Sequence, residues 1–225
     1  MKEVNSYGWK AVIGSSIGYA MDGFDLLILG FMLTLISGDL DLTTGQAGSL
    51  VTWTLVGAVI GGFIFGTLSD KFGRVRVLTW TIVLFAVFTG LCAFAQGYWD
   101  LLIYRTIAGI GLGGEFGIGM ALAAEAWPAQ HRAKATSYVA IGWQLGVLAA
   151  ALLTPVLLPY IGWRGMFMVG IIPAFVAWFF RAKLHEPEIF VQSKDTKEHS
   201  HTNSFKLLVK DVRTTKTSIG VAVLT

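Results

Sequence analysis

Four ionisable side chains stand inside long apolar runs of this chain: Asp22 and Asp25 in the first run, Arg105 and Glu115 in the fourth. A charge in such surroundings is costly, and it marks a place where a proton, an ion, a polar solute or an opposite charge is met. Asp22 and Asp25 are three residues apart, so on a helix they share roughly one face. If the first run rises from near Lys10, Asp25 lies on the order of 22 Å along it at 1.5 Å per residue. If the fourth descends from the opposite side near Leu101, Arg105 lies roughly 6 Å down. In a hydrocarbon core about 30 Å thick the two reach similar depths. Pairing is expected, because two unpaired buried charges would cost several kcal/mol. Asp25 and Arg105 should face each other across a water-accessible cleft. The alternative is a static ion pair that only locks two helices together.

Glu115 falls near mid-depth, flanked by Gly113, Gly114 and Gly117, which narrow the helix. It is read either as a group that handles substrate or a proton, or as a protonated acid bonded to a neighbouring helix. Trp143 and Gln144 in the fifth run are candidates for a cavity wall, with interhelical contact as the alternative. A different set, Asp70, Arg74, Glu125 and Arg132, lies at the ends of runs two and four. Two acids beside cations at two separate turns suggest a salt-bridge network closing one mouth of the molecule. The alternative is that these cations only orient the chain.

Other signals are set aside. Gly109-x-Gly111-x-x-Gly114 matches a dinucleotide fingerprint in letters, yet no strand precedes it. Helix packing explains it: Gly109, Gly113 and Gly117 recur every four residues, as do Gly62 and Gly66. His199 and His201 are read as linker residues, so no metal site and no cofactor are expected. Cys92, the single cysteine, is read as a packing residue. No nucleophile–base constellation is present, and the chain is not read as an enzyme.

The elements that position these groups follow from composition. The 225 residues are 54% hydrophobic and 14% charged, with mean hydropathy +0.64. Soluble domains carry about a quarter charged residues, so a polytopic membrane protein is expected. Apolar runs at about 10–36, 46–68, 75–95, 101–126, 135–158 and 163–180 each suit one span of about 20 residues. Polar turns at 38–45, 66–76, 96–100, 127–134 and 159–162 separate them. The opening run is too long, and too interrupted by acids, for a signal peptide. Residues 1–181 are expected to form a six-span half-bundle, 182–216 a cytoplasmic linker, and 217–225 the start of a seventh span that is cut off.

Of 17 Lys and Arg, only Arg105 and Arg164 fall outside the side that carries the N-terminus, 69–76, 127–134 and 181–216. Cations collect on the cytoplasmic side, so the N-terminus is expected inside, in a bacterial inner membrane. The net charge of +3 is thereby explained by orientation, and no nucleic-acid partner is expected.

Six spans, a basic linker and a restarting apolar run resemble the N-terminal half of a major facilitator superfamily transporter. The string Gly66-x-Leu68-x-Asp70-x-x-Gly73-Arg74-x-Arg76 looks like that superfamily's signature between spans two and three. Asp22-Gly23-Phe24-Asp25 resembles the acidic motif of sugar and metabolite proton symporters. Arg105-x-x-x-Gly109-x-Gly111, Glu125-x-x-Pro128-x-x-x-Arg132 and Gly162-Trp163-Arg164 fit as well. His185-Glu186-Pro187-Glu188 departs from the Pro-Glu-Ser-Pro string of many relatives. The resemblance implies an all-α membrane bundle of two three-helix inverted repeats. It also implies proton symport of an organic acid or sugar-like metabolite, with Asp25, Arg105 and Asp22 as the proton-coupling set. The partners implied are a small-molecule substrate, the proton, the lipid bilayer and a missing C-terminal half. A facilitator, an antiporter, or a truncated half with no activity of its own are the other readings.

Overall fold

The computed structural model describes residues 6–181, and the expected linker (182–216) and seventh-span start (217–225) lie outside the described residues. Within that range the chain is a bundle of long helices: α1 (Ser6–Asp39), α2 (Thr44–Phe72), α3 (Arg74–Cys92), α4 (Tyr98–Glu125) and α5 (Arg132–Arg181), with one 3-10 turn, Ala129–His131. All five are long and apolar enough to cross a membrane. The last is two spans in one: Gly162, at φ 63° and ψ −178°, breaks it into a first arm (132–161) and a second arm (163–181). The six expected spans are therefore present.

Two turns are far shorter than the residue pattern suggests. The eleven-residue string 66–76 is helical except at Gly73, whose φ of 107° and ψ of 151° turn α2 into α3 by itself. Such a backbone conformation is open to glycine and strained for other residues. The expected turn at 159–162 likewise contracts to Gly162. Conversely, α2 starts earlier than the apolar run, at a capping box in which Thr43 and Gln46 bond each other's backbone N–H groups.

The helices pair in a reciprocal way. α1 lies along α5, α2 along α4, and α3 packs on both α4 and α5. Exchanging the first three spans for the last three turns the pair α2–α4 into α5 first arm–α1, and α3–α4 into α5 second arm–α1. The last contact is also present, with Ile28, Leu29 and Met32 sharing one core with Trp163, Met166 and Phe167. This is the interhelix pattern of a three-plus-three inverted repeat. Backbone contact through small residues holds the two long pairs. A Cβ placed on Gly113 would stand 1.7 Å from the Ala58 carbonyl oxygen on α2, and one on Gly146 would stand 1.8 Å from that of Ala20 on α1. The expected glycine seam is only partly realised. Gly109 and Gly113 meet α2 at Thr54 and Ala58, and Gly62 faces Gly113, but Gly57 and Gly61 press more closely on Thr106 and Ile110 of α4, while a Cβ on Gly66 or Gly117 would meet nothing within 4 Å.

Candidate functional site

The centre of the bundle is built from α1 and α4. Arg105 lies seven residues into α4 and Asp25 lies past the midpoint of the antiparallel α1, so the two side chains meet. Arg105 Nη1 donates to Asp25 Oδ1 at 3.0 Å and Nη2 to Oδ2 at 2.7 Å. This two-pronged geometry matches a planar guanidinium to a carboxylate. Both side chains are sealed, at 0% and 1% exposure. The Phe167 ring lies under the guanidinium, its centroid 5.7 Å from Cζ. The pairing agrees with the depth argument, but the expected water-accessible cleft does not. The pair is enclosed by the packed cores on either side of it.

Asp22, one turn earlier on α1, is also fully buried. The bonds from Arg105 Nη1 and Nη2 go to Asp25.

Glu115 does not line the open face of α4. It is 2% exposed, and it accepts a long hydrogen bond, 3.4 Å, from Thr81 Oγ1 on α3. Its successor Phe116 takes the open face instead, half exposed. Phe116 sits 5.0 Å, centroid to centroid, from Tyr19 on α1, which in turn sits 5.1 Å from Trp143 on α5. Gln144 follows Trp143 on an exposed position. Three rings from three helices thus form one wall. Trp143, a candidate for a cavity wall, belongs to it. Tyr19 and Phe116 were not foreseen, because a ring in an apolar helix carries no signal of which neighbour it meets.

The charges at the amino-terminal end form a compact network. Arg74, the first residue of α3, reaches Asp70 at 2.9 Å, Glu125 at 3.1 Å and Ser69 Oγ at 2.6 Å. The single-residue turn at Gly73 makes this possible, since it sets Arg74 against the end of α2 and the end of α4 together. Arg132 is not brought in: its side chain is exposed at the start of α5 and makes no ion pair with the described residues. The intervening 3-10 turn places it beyond reach of Glu125.

No group of His, Cys, Asp and Glu among the described residues could hold a metal ion.

A Haemophilus influenzae protein that carries a metabolite-transport name is 75% identical over 228 residues, covering 99% of this chain and 56% of its own length. The cis,cis-muconate transport protein of Acinetobacter baylyi is 33% identical over 215 residues, covering 93% of this chain and 52% of its own. The chain spans about half the length of the curated relatives it matches. Among solved structures, the proton:xylose symporter XylE bound to 6-bromo-6-deoxy-D-glucose shares the fold, with a TM-score of 0.76 at 24% identity over 87% of this chain and 48% of that one. These matches are to transporters, in line with a chain that is not an enzyme. The Major Facilitator Superfamily profile runs over residues 15–225, nearly the whole sequence, and the chain belongs to that superfamily.

Proposed function

We propose that this chain is the proton-coupling half of a secondary active transporter that moves a small organic acid or sugar-like metabolite by proton symport. The observation that carries the reading is the sealed Asp25–Arg105 pair between α1 and α4. A proton on Asp25 removes one charge of the pair and weakens its hold on Arg105. The α1–α4 contact is then free to rearrange, which is what a change between outward and inward states requires. The wall of Tyr19, Phe116, Trp143 and Gln144 is the substrate-facing surface of this half, supplying ring faces and one amide. Muconate, named for one relative, is an organic acid, which favours that class. The Asp70–Arg74–Glu125 network is the inner gate, on the cytoplasmic side if the cation bias orients the chain.

Substrate paths in such carriers lie between two halves, so a C-terminal half is required. The test joins this chain to the C-terminal half of the 75%-identical Haemophilus relative. Labelled carboxylates and sugars are then offered to proteoliposomes under an imposed proton gradient. Asp25→Asn is expected to abolish uphill accumulation while leaving exchange partly intact. Undiminished concentrative uptake in that variant refutes the coupling role. The chain without a second half is expected to show no uptake.

A further inference from the structure

The end of the bundle opposite the N-terminus carries a second charge cluster, made of Asp39 from the turn at 38–45 and Trp163 and Arg164 from the head of the sixth apolar run. Arg164 forms an ion pair with Asp39, the last residue of α1, through Nη1. Its Nη2 donates to the Ala95 carbonyl just past α3 at 3.2 Å. Its guanidinium lies 4.1 Å over the Trp163 ring, and the Trp163 indole N–H donates to the same Asp39 carboxylate oxygen at 3.1 Å. One guanidinium and one carboxylate thus tie together the ends of α1, α3 and the second arm of α5.

This cluster repeats the amino-terminal network under the exchange of the two helix triplets. Arg74 follows the glycine turn between spans two and three and holds an acid at the end of span four. Arg164 follows the glycine turn between spans five and six and holds an acid at the end of span one. Each latch therefore joins one repeat's turn to the other repeat's first helix.

The far latch is also in contact with the buried pair. Trp163 and Phe167 are one helical turn apart, with ring centroids 6.0 Å from each other at an 89° angle. Phe167 then lies against Arg105. The sequence of contacts Asp39, Arg164, Trp163, Phe167, Arg105, Asp25 runs unbroken from the half-exposed end to the sealed centre. Cys92 is fully buried in the same core as Trp163 and Phe167.

We propose that Asp39, Trp163 and Arg164 are positioning residues of a far-end gate, which controls access of water and protons to the Asp25–Arg105 pair. The proposal rests on the proton-coupling reading of that pair. The gate is a half-exposed ion pair stacked on an indole, so it holds weakly enough to open and close. Release of Arg105 on protonation of Asp25 frees Phe167, and Phe167 passes the displacement to Trp163 and the latch.

The single cysteine makes the test direct. The 225-residue chain is placed in lipid nanodiscs, and the rate at which Cys92 reacts with a charged methanethiosulfonate reagent is measured. Asp39→Asn is expected to raise that rate about five- to tenfold by favouring local opening. Asp39→Glu keeps a carboxylate for both donors and is expected to remain within about twofold of wild type. Glu125→Gln, at the other end, is expected to do the same, because it does not touch the far latch. An unchanged rate in Asp39→Asn overturns the proposal. So does an equal rise in Glu125→Gln, which would mean general loosening of the bundle, or a rise in Asp39→Glu as large as in Asp39→Asn. Arg164→Lys serves if Asp39→Asn fails to fold, and a wild-type rate there overturns the proposal equally. None of these rates depends on proton-coupled uptake, so failure here and failure of the symport reading are separate results.

Discussion

Neutralising Asp25 should do more harm to the folded bundle than its size suggests. Asp25→Asn keeps the shape and one acceptor, but it leaves the Arg105 charge at 0% exposure without the carboxylate bonded to it. Removing one partner of a buried ion pair costs about 3–5 kcal/mol. The Phe167 face under the guanidinium is present before and after the change, so it offsets none of that loss. Asparagine recovers part of one hydrogen bond, about 1 kcal/mol, and a net loss of roughly 3 kcal/mol is expected. An alternative in which water reaches the pair predicts only about 0–1 kcal/mol, the range of solvated ion pairs. Replacing both residues, as Asp25→Leu with Arg105→Met, removes the stranded charge and should be much less damaging than Asp25→Asn alone. The assay is denaturant unfolding of the chain in detergent micelles, followed by the fluorescence of its 8 tryptophans. The expected coupling between the two sites is about 2–4 kcal/mol. A loss within about 0.5 kcal/mol for Asp25→Asn would refute the sealed-pair reasoning, since an uncompensated buried charge cannot be that cheap.

Two further outcomes follow from the backbone. Gly113→Ala would drive a methyl group to 1.7 Å from the Ala58 carbonyl. It should cost at least 1–3 kcal/mol, roughly the range for overpacking, while Gly117→Ala on the same helix, with nothing near it, should stay within about 0.5 kcal/mol; thermal unfolding of the two variants side by side checks this. Gly73→Ala, at φ 107°, should cost about 1–3 kcal/mol and loosen the Arg74–Glu125 contact, read as faster amide exchange at the end of α4.

The parts of this fold that were legible in the sequence are those set by solvent. Apolar runs interrupted by short polar turns give six spans, and two opposite charges in apolar surroundings have few options besides each other. Antiparallel depth arithmetic then brings Asp25 and Arg105 together. Facing, by contrast, depends on neighbours that a linear pattern does not name. Glu115 and Phe116 are adjacent, and only packing against α3 decides that the acid turns inward to Thr81 while the ring takes the open face. Depth alone could not show that the pair is sealed, because that depends on Phe167 arriving from the last span. The far latch was hidden for the same reason, as Asp39 and Arg164 are 125 residues apart, and neither the turn at 38–45 nor the Gly162-Trp163-Arg164 string names the other as its partner.

Backbone packing also explains why the ion pair stands where a conformational change would act. Glycine and small residues bring α2 against α4, and α1 against the first arm of α5, so closely that main-chain atoms touch. Contacts of that kind leave little freedom to slide, and each pair behaves as one stiff unit. α1 meets α4 less extensively than it meets α5. The Asp25–Arg105 pair spans this thinner contact beside apolar neighbours such as Met21 and Leu112, and its share of the attraction depends on the charge of one carboxylate. A hydrophobic contact at the same place would be indifferent to a proton. On the proton-coupling reading, a titratable pair across a seam between two stiff helix pairs lets one proton weaken that seam.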